Sequence, residues 1–274
     1  MDKKIAFLGT PNFAVPILKS IHQSNYKISC VFSQPPRKSN RGHKFNKSPI
    51  HLLSEELGIE IKTPENIEKE IDYIKSLNLD LAIVVAYGQI LSKDILSLSK
   101  NGFINIHASL LPKWRGAAPI QRSLINMDKI TGLSIMKINP NLDEGQVCNK
   151  YPLDILENEN AKSLADRLSN LAAEKILPNI ENILQQKANF EEQDSSMATY
   201  AKKIQKIEGK INWNNGADEI LAKINGLYPQ PGAWFGFEND RHKILRATLS
   251  KTTMRPGEII DEELTISCGN KSIK

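Results

Sequence analysis

Cysteine is scarce in this 274-residue chain: Cys30, Cys148 and Cys268 stand far apart, odd in number and without a CxxC pair. That excludes a disulfide framework and a thiolate zinc site, and it fits reduced thiols in a cytoplasmic protein. No apolar run approaches the ~20 residues of a membrane span, and MDKKIAFLGT holds too short an apolar stretch for a signal peptide. Neither sign of charge dominates, since 36 Lys and Arg face 31 Asp and Glu. A net +5 does not by itself imply nucleic acid; the clustering of charge matters more. GxGxxG, Walker A, HExxH and GxSxG are all absent, and Gly9 stands alone in FLGTPNF. A nicotinamide cofactor, a P-loop, a zinc protease, a serine-hydrolase elbow and a metal centre are each disfavoured on that ground.

What is present reads as alternating strands and helices. KIAFLG (4–9) is an apolar run ending in Gly, and VPILKSIHQS follows with helical spacing, a β-turn-α opening. ISCVFS (28–33) is a second strand. A polar loop from Gln34 to Ser48 leads to a helix at about 49–57, a short strand near 59–62 and a helix at about 65–78. DLAIVVAYG (80–88) is apolar on both faces, as a central parallel strand must be. A helix at about 92–99 precedes GFINIHAS. The alternation predicts a doubly wound α/β sheet. After a helix at about 117–126, TGLSIMKI (131–138) and QVCNKYPLDI (146–155) flank the turn formers NPNLDEG, predicting a hairpin at the sheet edge. Residues 160–187 carry apolar positions at helical spacing, predicting one or two helices. Residues 1–188 are therefore assigned to one domain, the polar stretch 189–205 to a linker, and 206–274 to a small β-barrel-like domain. That last region reads as GKINW, GAWFGFE, HKILRATL, GEIID and LTISCG, with one helix near 216–226.

Asn105 and His107 sit two apart in INIHASLLPKWRGAAPIQR (104–122), so they share a strand face. They lie at the carboxyl end of their strand, where open parallel sheets bind ligands. Polar groups at a strand end can simply bond to nearby backbone; the alternative is chemistry. An Asn amide can donate to a developing oxyanion, and a His can move protons near neutrality. SLLPKWRGAAP then forms a loop, read either as a plain connector or as a ligand-holding segment. Asp143 follows His107 by 36 residues, within NPNLDEG. Turn chemistry alone accounts for an Asp there. A hairpin leaving the neighbouring strand could also carry this carboxylate over the same crevice.

The loop QPPRKSNRGHKFNKSP (34–49) holds Arg37, Lys38, Arg41, Lys44 and Lys47 and no acid. Many charged loops are merely solvated, but this unbalanced set suits phosphate contact. The loop is also long for a βα connection and is expected to become ordered on a partner.

FLGTPNFAVP, the basic loop with NRGHK, DLAIVVAYGQIL, INIHASLLPKWRGAAPIQRS and NLDEG occur in the order and spacing of the methionyl-tRNA formyltransferases, which the chain resembles along essentially its whole length. The resemblance implies a Rossmann-like doubly wound, mostly parallel sheet followed by a small β-rich OB-like C-terminal domain. Its members run some tens of residues beyond ISCGNKSIK, so either a truncated chain or an incomplete barrel is expected here. Position by position, it implies that Asn105, His107 and Asp143 match the catalytic trio, and Ser109, Leu110, Leu111 and Pro112 the folate-binding segment. Arg41 with Arg37, Lys38, Lys44 and Lys47 matches a loop that enters the acceptor stem of initiator tRNA.

The implied reaction passes the formyl group of 10-formyltetrahydrofolate to the α-amino group of initiator methionyl-tRNA, in a cytoplasmic monomer without a metal. An α-amino group has a pKa near 8, so no strong base is needed. Asn105 and His107 are expected to donate to the formyl oxygen, with Asp143 holding the imidazole. A folate-dependent formyltransferase acting on a sugar-nucleotide or purine-precursor amine would share the trio. A nucleic-acid-binding protein without catalysis would explain the basic loop but not Asn105 and His107.

Overall fold

The computed structural model describes residues 3–39 and 44–274, with the side chains of Lys38, Ser39 and Lys44 outside that description. In chain order the first strands are β1 (Lys4–Gly9), β2 (Lys27–Phe32), β3 (Arg37–Ser39), β4 (Lys44–Asn46), β5 (Ile61–Lys62), β6 (Leu81–Val85) and β7 (Phe103–His107). They are followed by β8 (Arg115–Gly116), β9 (Ile130–Lys137) and β10 (Val147–Asp154). The helices are α1 (Val15–His22), α2 (Pro49–Glu56), α3 (Ile71–Leu77), α4 (Lys93–Leu96), α5 (Pro119–Ile125), α6 (Ala161–Leu184) and α7 (Ala217–Leu227). Seven strands form one sheet in the order β10-β9-β7-β6-β1-β2-β5. β1 pairs in parallel with β2 and β6, and β6 in parallel with β7, while β7 meets β9 antiparallel. The sheet is the mostly parallel, doubly wound one read from the alternating pattern, with β9 and β10 at one edge.

Burial explains the strand composition. All five residues of β6 are buried, and so is β1 apart from Lys4. Helix boundaries follow local chemistry. The Ser48 hydroxyl accepts the His51 N–H at the start of α2, and Pro49 occupies the first turn, where a missing N–H costs nothing. Helix α3 is shorter than the pattern at 65–78 implied: a 3₁₀ turn spans Ile67–Glu70, and Asn78 ends α3 in the left-handed region. Within 160–187 a single helix forms, α6 (Ala161–Leu184), whose Leu164, Leu168, Ala172, Ile176 and Ile180 are buried at four-residue spacing, one apolar stripe.

The structure comprises two compact units. The first contains residues 1–115, 132–151 and 166–198; the second contains 116–131, 152–165 and 199–274. In the second, β11 (Tyr200–Ala201) precedes a hairpin of β12 (Ala233–Phe237) and β13 (Asp240–Ile244). A separate three-stranded sheet is built from β14 (Leu249–Ser250), β15 (Ile266–Ser267) and β16 (Ser272–Ile273) in the order β14-β16-β15. The C-terminal region is β-rich as expected, but among the described residues these strands do not join into one barrel sheet. GKINW and GEIID contribute single bridges, Lys210 with Trp234 and Ile259 with Ile266. The reason is side-chain competition for backbone donors. Asn212 accepts the Asn214 N–H, and Asp261 accepts those of Glu263 and Thr265, turning the chain in both places.

The basic loop is also more regular than the composition implied. β3 and β4 form an antiparallel hairpin, Arg37 opposite Asn46 and Ser39 opposite Lys44. Arg41, at its tip in sequence, lies outside the described residues.

Candidate active site

Strand β7 is apolar except at the positions that matter here. Asn105 stands opposite Val84 of β6 and Met136 of β9; His107, two residues on, stands opposite Ser134. Asn105 is half-buried. The imidazole of His107 is buried, with its Nε2 2.9 Å from the Trp114 carbonyl oxygen. A carbonyl can only accept, so Nε2 carries the proton in this pair. Trp114 is in the left-handed region at φ 63°, a backbone cost in a bulky residue at the point where its carbonyl meets the ring.

The other ring nitrogen faces Asp143. Nδ1 lies 3.7 Å from Asp143 Oδ2, an electrostatic approach longer than a hydrogen bond. Asp143 sits in the β9–β10 connection, itself in the left-handed region at φ 51°. The edge hairpin thus carries the carboxylate back over the end of β7, as the pattern anticipated. His107 and Asp143 therefore meet at the carboxyl end of β7, and Asn105 lies two residues before His107 on the same strand. The geometry differs from the simplest reading in one respect: the imidazole N–H goes to Trp114, so the side-chain amide of Asn105 is the donor left for an oxyanion.

The segment 109–112 is a loop built on itself. Ser109 is fully buried; its hydroxyl donates to the Lys113 carbonyl at 2.5 Å, and its carbonyl accepts from Ser134 Oγ at 2.7 Å. The same Ser134 oxygen accepts the Leu111 N–H at 2.9 Å. Ser109 and Leu111 shape the loop from within, whereas Leu110 and Pro112 are half-buried. At the same end of the sheet Ile90, just beyond β6, is 88% exposed.

Two residues with a part in this site went unread in the sequence. Arg115 is 1% exposed, and Gln193 lies in the stretch taken for a linker. Arg115 donates from Nε to Gln193 Oε1 at 3.0 Å and from Nη1 to Glu144 Oε1 at 3.3 Å. Gln193 Nε2 donates to the carbonyls of Asp143 and Gly145, both at 2.8 Å. Nothing in local composition marks Gln193, because its partners are 48 to 78 residues away in sequence.

The basic residues divide. Arg37 is exposed and donates to Gln34. Lys47 is paired with both carboxylate oxygens of Glu55, at 2.6 and 2.7 Å. That hydrogen bond is the main reason the Glu55 carboxyl sits below its usual range. The 34–49 segment has no acid of its own, but α2 supplies one. In the second unit, Lys203, Lys206, Arg241 and Lys243 line a cleft of about 850 Å³ with no carboxylate among its lining residues. The Arg241 guanidinium lies 4.1 Å from the Trp234 ring centre, a stacking contact.

Residues 3–180 match the model of the formyl transferase family, and residues 203–274 match that of the formyl transferase C-terminal domain. The chain is 56% identical to the methionyl-tRNA formyltransferase of Pelagibacter ubique, covering 100% of this chain and 90% of that protein. It is 40% identical to that of Caulobacter vibrioides, with 99% and 90% covered. Among solved structures, an N-formyltransferase from Helicobacter canadensis in complex with folinic acid and dTDP-3-aminofucose superposes with a TM-score of 0.77. It is 20% identical, and the match covers 100% of this chain and 98% of that one. HypX from Aquifex aeolicus with tetrahydrofolic acid superposes with a TM-score of 0.70 at 14% identity, covering 100% and 43%. These two share the fold.

Proposed function

The chain belongs to the methionyl-tRNA formyltransferase family, and we propose that it transfers the formyl group of 10-formyltetrahydrofolate to the α-amino group of initiator methionyl-tRNA, acting as a cytoplasmic monomer. The observation that supports the reading is the 3.7 Å approach of His107 Nδ1 to Asp143 Oδ2, with Asn105 two residues before His107 on the same strand.

The folate supplies an activated formyl group whose oxygen gathers negative charge when the amine attacks. Asn105 donates to that oxygen. Leu110 and Pro112 hold the donor's apolar faces, and Ser109 and Leu111 keep that loop in shape. Trp114, by holding Nε2–H, turns Nδ1 of His107 towards Asp143. The imidazole takes the proton lost by the amine, and the nearby carboxylate stabilises the resulting positive charge. The proton then passes to the departing nitrogen, and atoms and charge balance without a covalent enzyme intermediate.

Arg37, Lys38, Arg41, Lys44 and Lys47 serve the acceptor end of the tRNA, and the cations of the second unit's cleft serve backbone phosphates. The first assignment draws on a segment, 34–49, with no acid in its own sequence, although Glu55 of α2 pairs with Lys47; the second draws on a cleft with no carboxylate among its lining residues. Transfer to a sugar-nucleotide amine is the weaker reading, because the relatives at 40–56% identity are tRNA enzymes. The test is transfer of labelled formyl from 10-formyltetrahydrofolate to methionyl-tRNA, run beside a dTDP-amino sugar. Turnover on the tRNA alone is expected; turnover on the sugar alone would overturn the assignment.

A further inference from the structure

We infer that Gln193 and Arg115 are positioning residues: together they clamp the turn that carries Asp143 and so fix the carboxylate against the His107 imidazole. The inference rests on the catalytic reading above, and it gives both residues a role exerted through the Asp143 turn.

The clamp closes on three consecutive residues. Gln193 Nε2 donates to the carbonyls of Asp143 and Gly145, each at 2.8 Å, and Arg115 Nη1 reaches the side chain of Glu144 between them at 3.3 Å. The two clamping side chains are themselves joined, Arg115 Nε to Gln193 Oε1 at 3.0 Å, and Arg115 Nη2 approaches Ser195 Oγ at 3.4 Å. A guanidinium buried to 1% exposure loses water on every side, so such donors must be met within the protein. Acceptors in two chain segments hold its plane, and through it Gln193.

The turn has reason to need a clamp. Asp143 occupies the left-handed region at φ 51°, a conformation that a non-glycine residue keeps only when its surroundings hold it there. Gly145 presses against β9 so closely that a Cβ would collide with the Lys137 carbonyl oxygen. The turn is thus gripped on one side by β9 and on the other by Gln193. Chain continuity adds a second link. Trp114, which bonds the imidazole through its carbonyl, is the residue before Arg115. One dipeptide therefore holds His107 by its backbone and the Asp143 turn by its side chain, setting both halves of the pair from a single anchor.

The test is a double-mutant cycle on kcat for formyl transfer to methionyl-tRNA, using Gln193→Ala, Asp143→Ala and the double variant of the full chain. Gln193→Ala is expected to lower kcat about tenfold or more, as a small misplacement of a catalytic group does. KM for folate and for tRNA should stay within about twofold, because neither is bound by Gln193. In the Asp143→Ala background the same change should alter kcat less than about twofold, since nothing is left to position. Gln193→Glu keeps an acceptor for Arg115 but offers no N–H to the turn; it should remain impaired, which separates holding the turn from pairing with Arg115. Equal losses in both backgrounds, or full activity in Gln193→Glu, overturn the inference. If Asp143→Ala is impaired and Gln193→Ala is not, the inference alone fails. If Asp143→Ala retains full kcat, the catalytic reading fails and takes the inference with it.

Discussion

Asn105 is a polar side chain in the middle of an apolar strand, flanked by buried Ile104 and Ile106 and facing Val84 and Met136 in the adjoining strands. A residue kept for stability in that place would be apolar or bonded; under the proposed mechanism its amide donates to the developing oxyanion. Asn105→Ala should lower kcat by about 10²–10³, the loss of one such donor, in steady-state transfer to methionyl-tRNA. Asn105→Asp should fare no better, since a carboxylate has no hydrogen to give. Unchanged turnover in both would remove Asn105 from the chemistry. Asp80 illustrates a different use of a polar side chain. Its carboxylate accepts the Lys4 N–H and the Lys100 ammonium, each at 2.9 Å. The first of these, opposed in part by burial, holds its pKa below the usual carboxylate value. A lowered folded-state pKa stabilises above the unfolded value, near 3.9, and that stabilisation is lost as pH falls through the folded value. Asp80→Asn should therefore cost about 1 kcal/mol at pH 7. The difference in melting temperature from the parent should shrink below pH ~4. A gap that persists undiminished at acid pH would show that charge is not its source.

At the level of elements, the site depends on how β7 leaves the sheet. The loop after it is tied to β9 by one hydroxyl, Ser134 Oγ, which donates to the Ser109 carbonyl and accepts the Leu111 N–H in a fully buried setting. Ser134→Ala strands both groups without water. It should cost about 1–3 kcal/mol in denaturant unfolding, and it should raise KM for the folate more than it lowers kcat, because the loop and not the trio is loosened. A fall in kcat with KM untouched would contradict that division. Element-scale reading of the sequence succeeded where a pattern was long or a strand was buried on both faces, as with β6 and α6. It failed where a short polar side chain captured backbone donors, as Asn212 and Asp261 do. Those captures end a strand after one bridge, although the apolar residues alternate as a strand's should.

For the whole molecule, affinity for a polyanion is read in its salt dependence. Each cation–phosphate pair removed should flatten the slope of log K against log salt by about 0.7–0.9. Replacing Arg41 and Lys44 with Ala should raise KM for charged tRNA and flatten that slope, with turnover on saturating tRNA preserved. The same outcome is expected for Lys206→Ala with Lys243→Ala in the second unit's cleft. Lys47→Ala should flatten it least, since Lys47 is already neutralised by Glu55. An unchanged slope in either double variant would take that surface out of the interaction with phosphate.

The order of strands and helices, the parallel core and the pairing of Asn105 with His107 on one face were determined by the sequence, because side-chain period and burial are local properties of a chain. So was the clustering of cations in a 34–49 segment with no acid of its own. The tertiary structure alone decided which proton His107 commits, because that depends on the Trp114 carbonyl seven residues away, brought back by a turn. It decided too that Lys47 has a partner, and that Gln193, in a stretch with no pattern of its own, grips the turn of Asp143. Pairings between residues tens of positions apart leave no mark on either segment alone; they exist only once the sheet has set the distance between them.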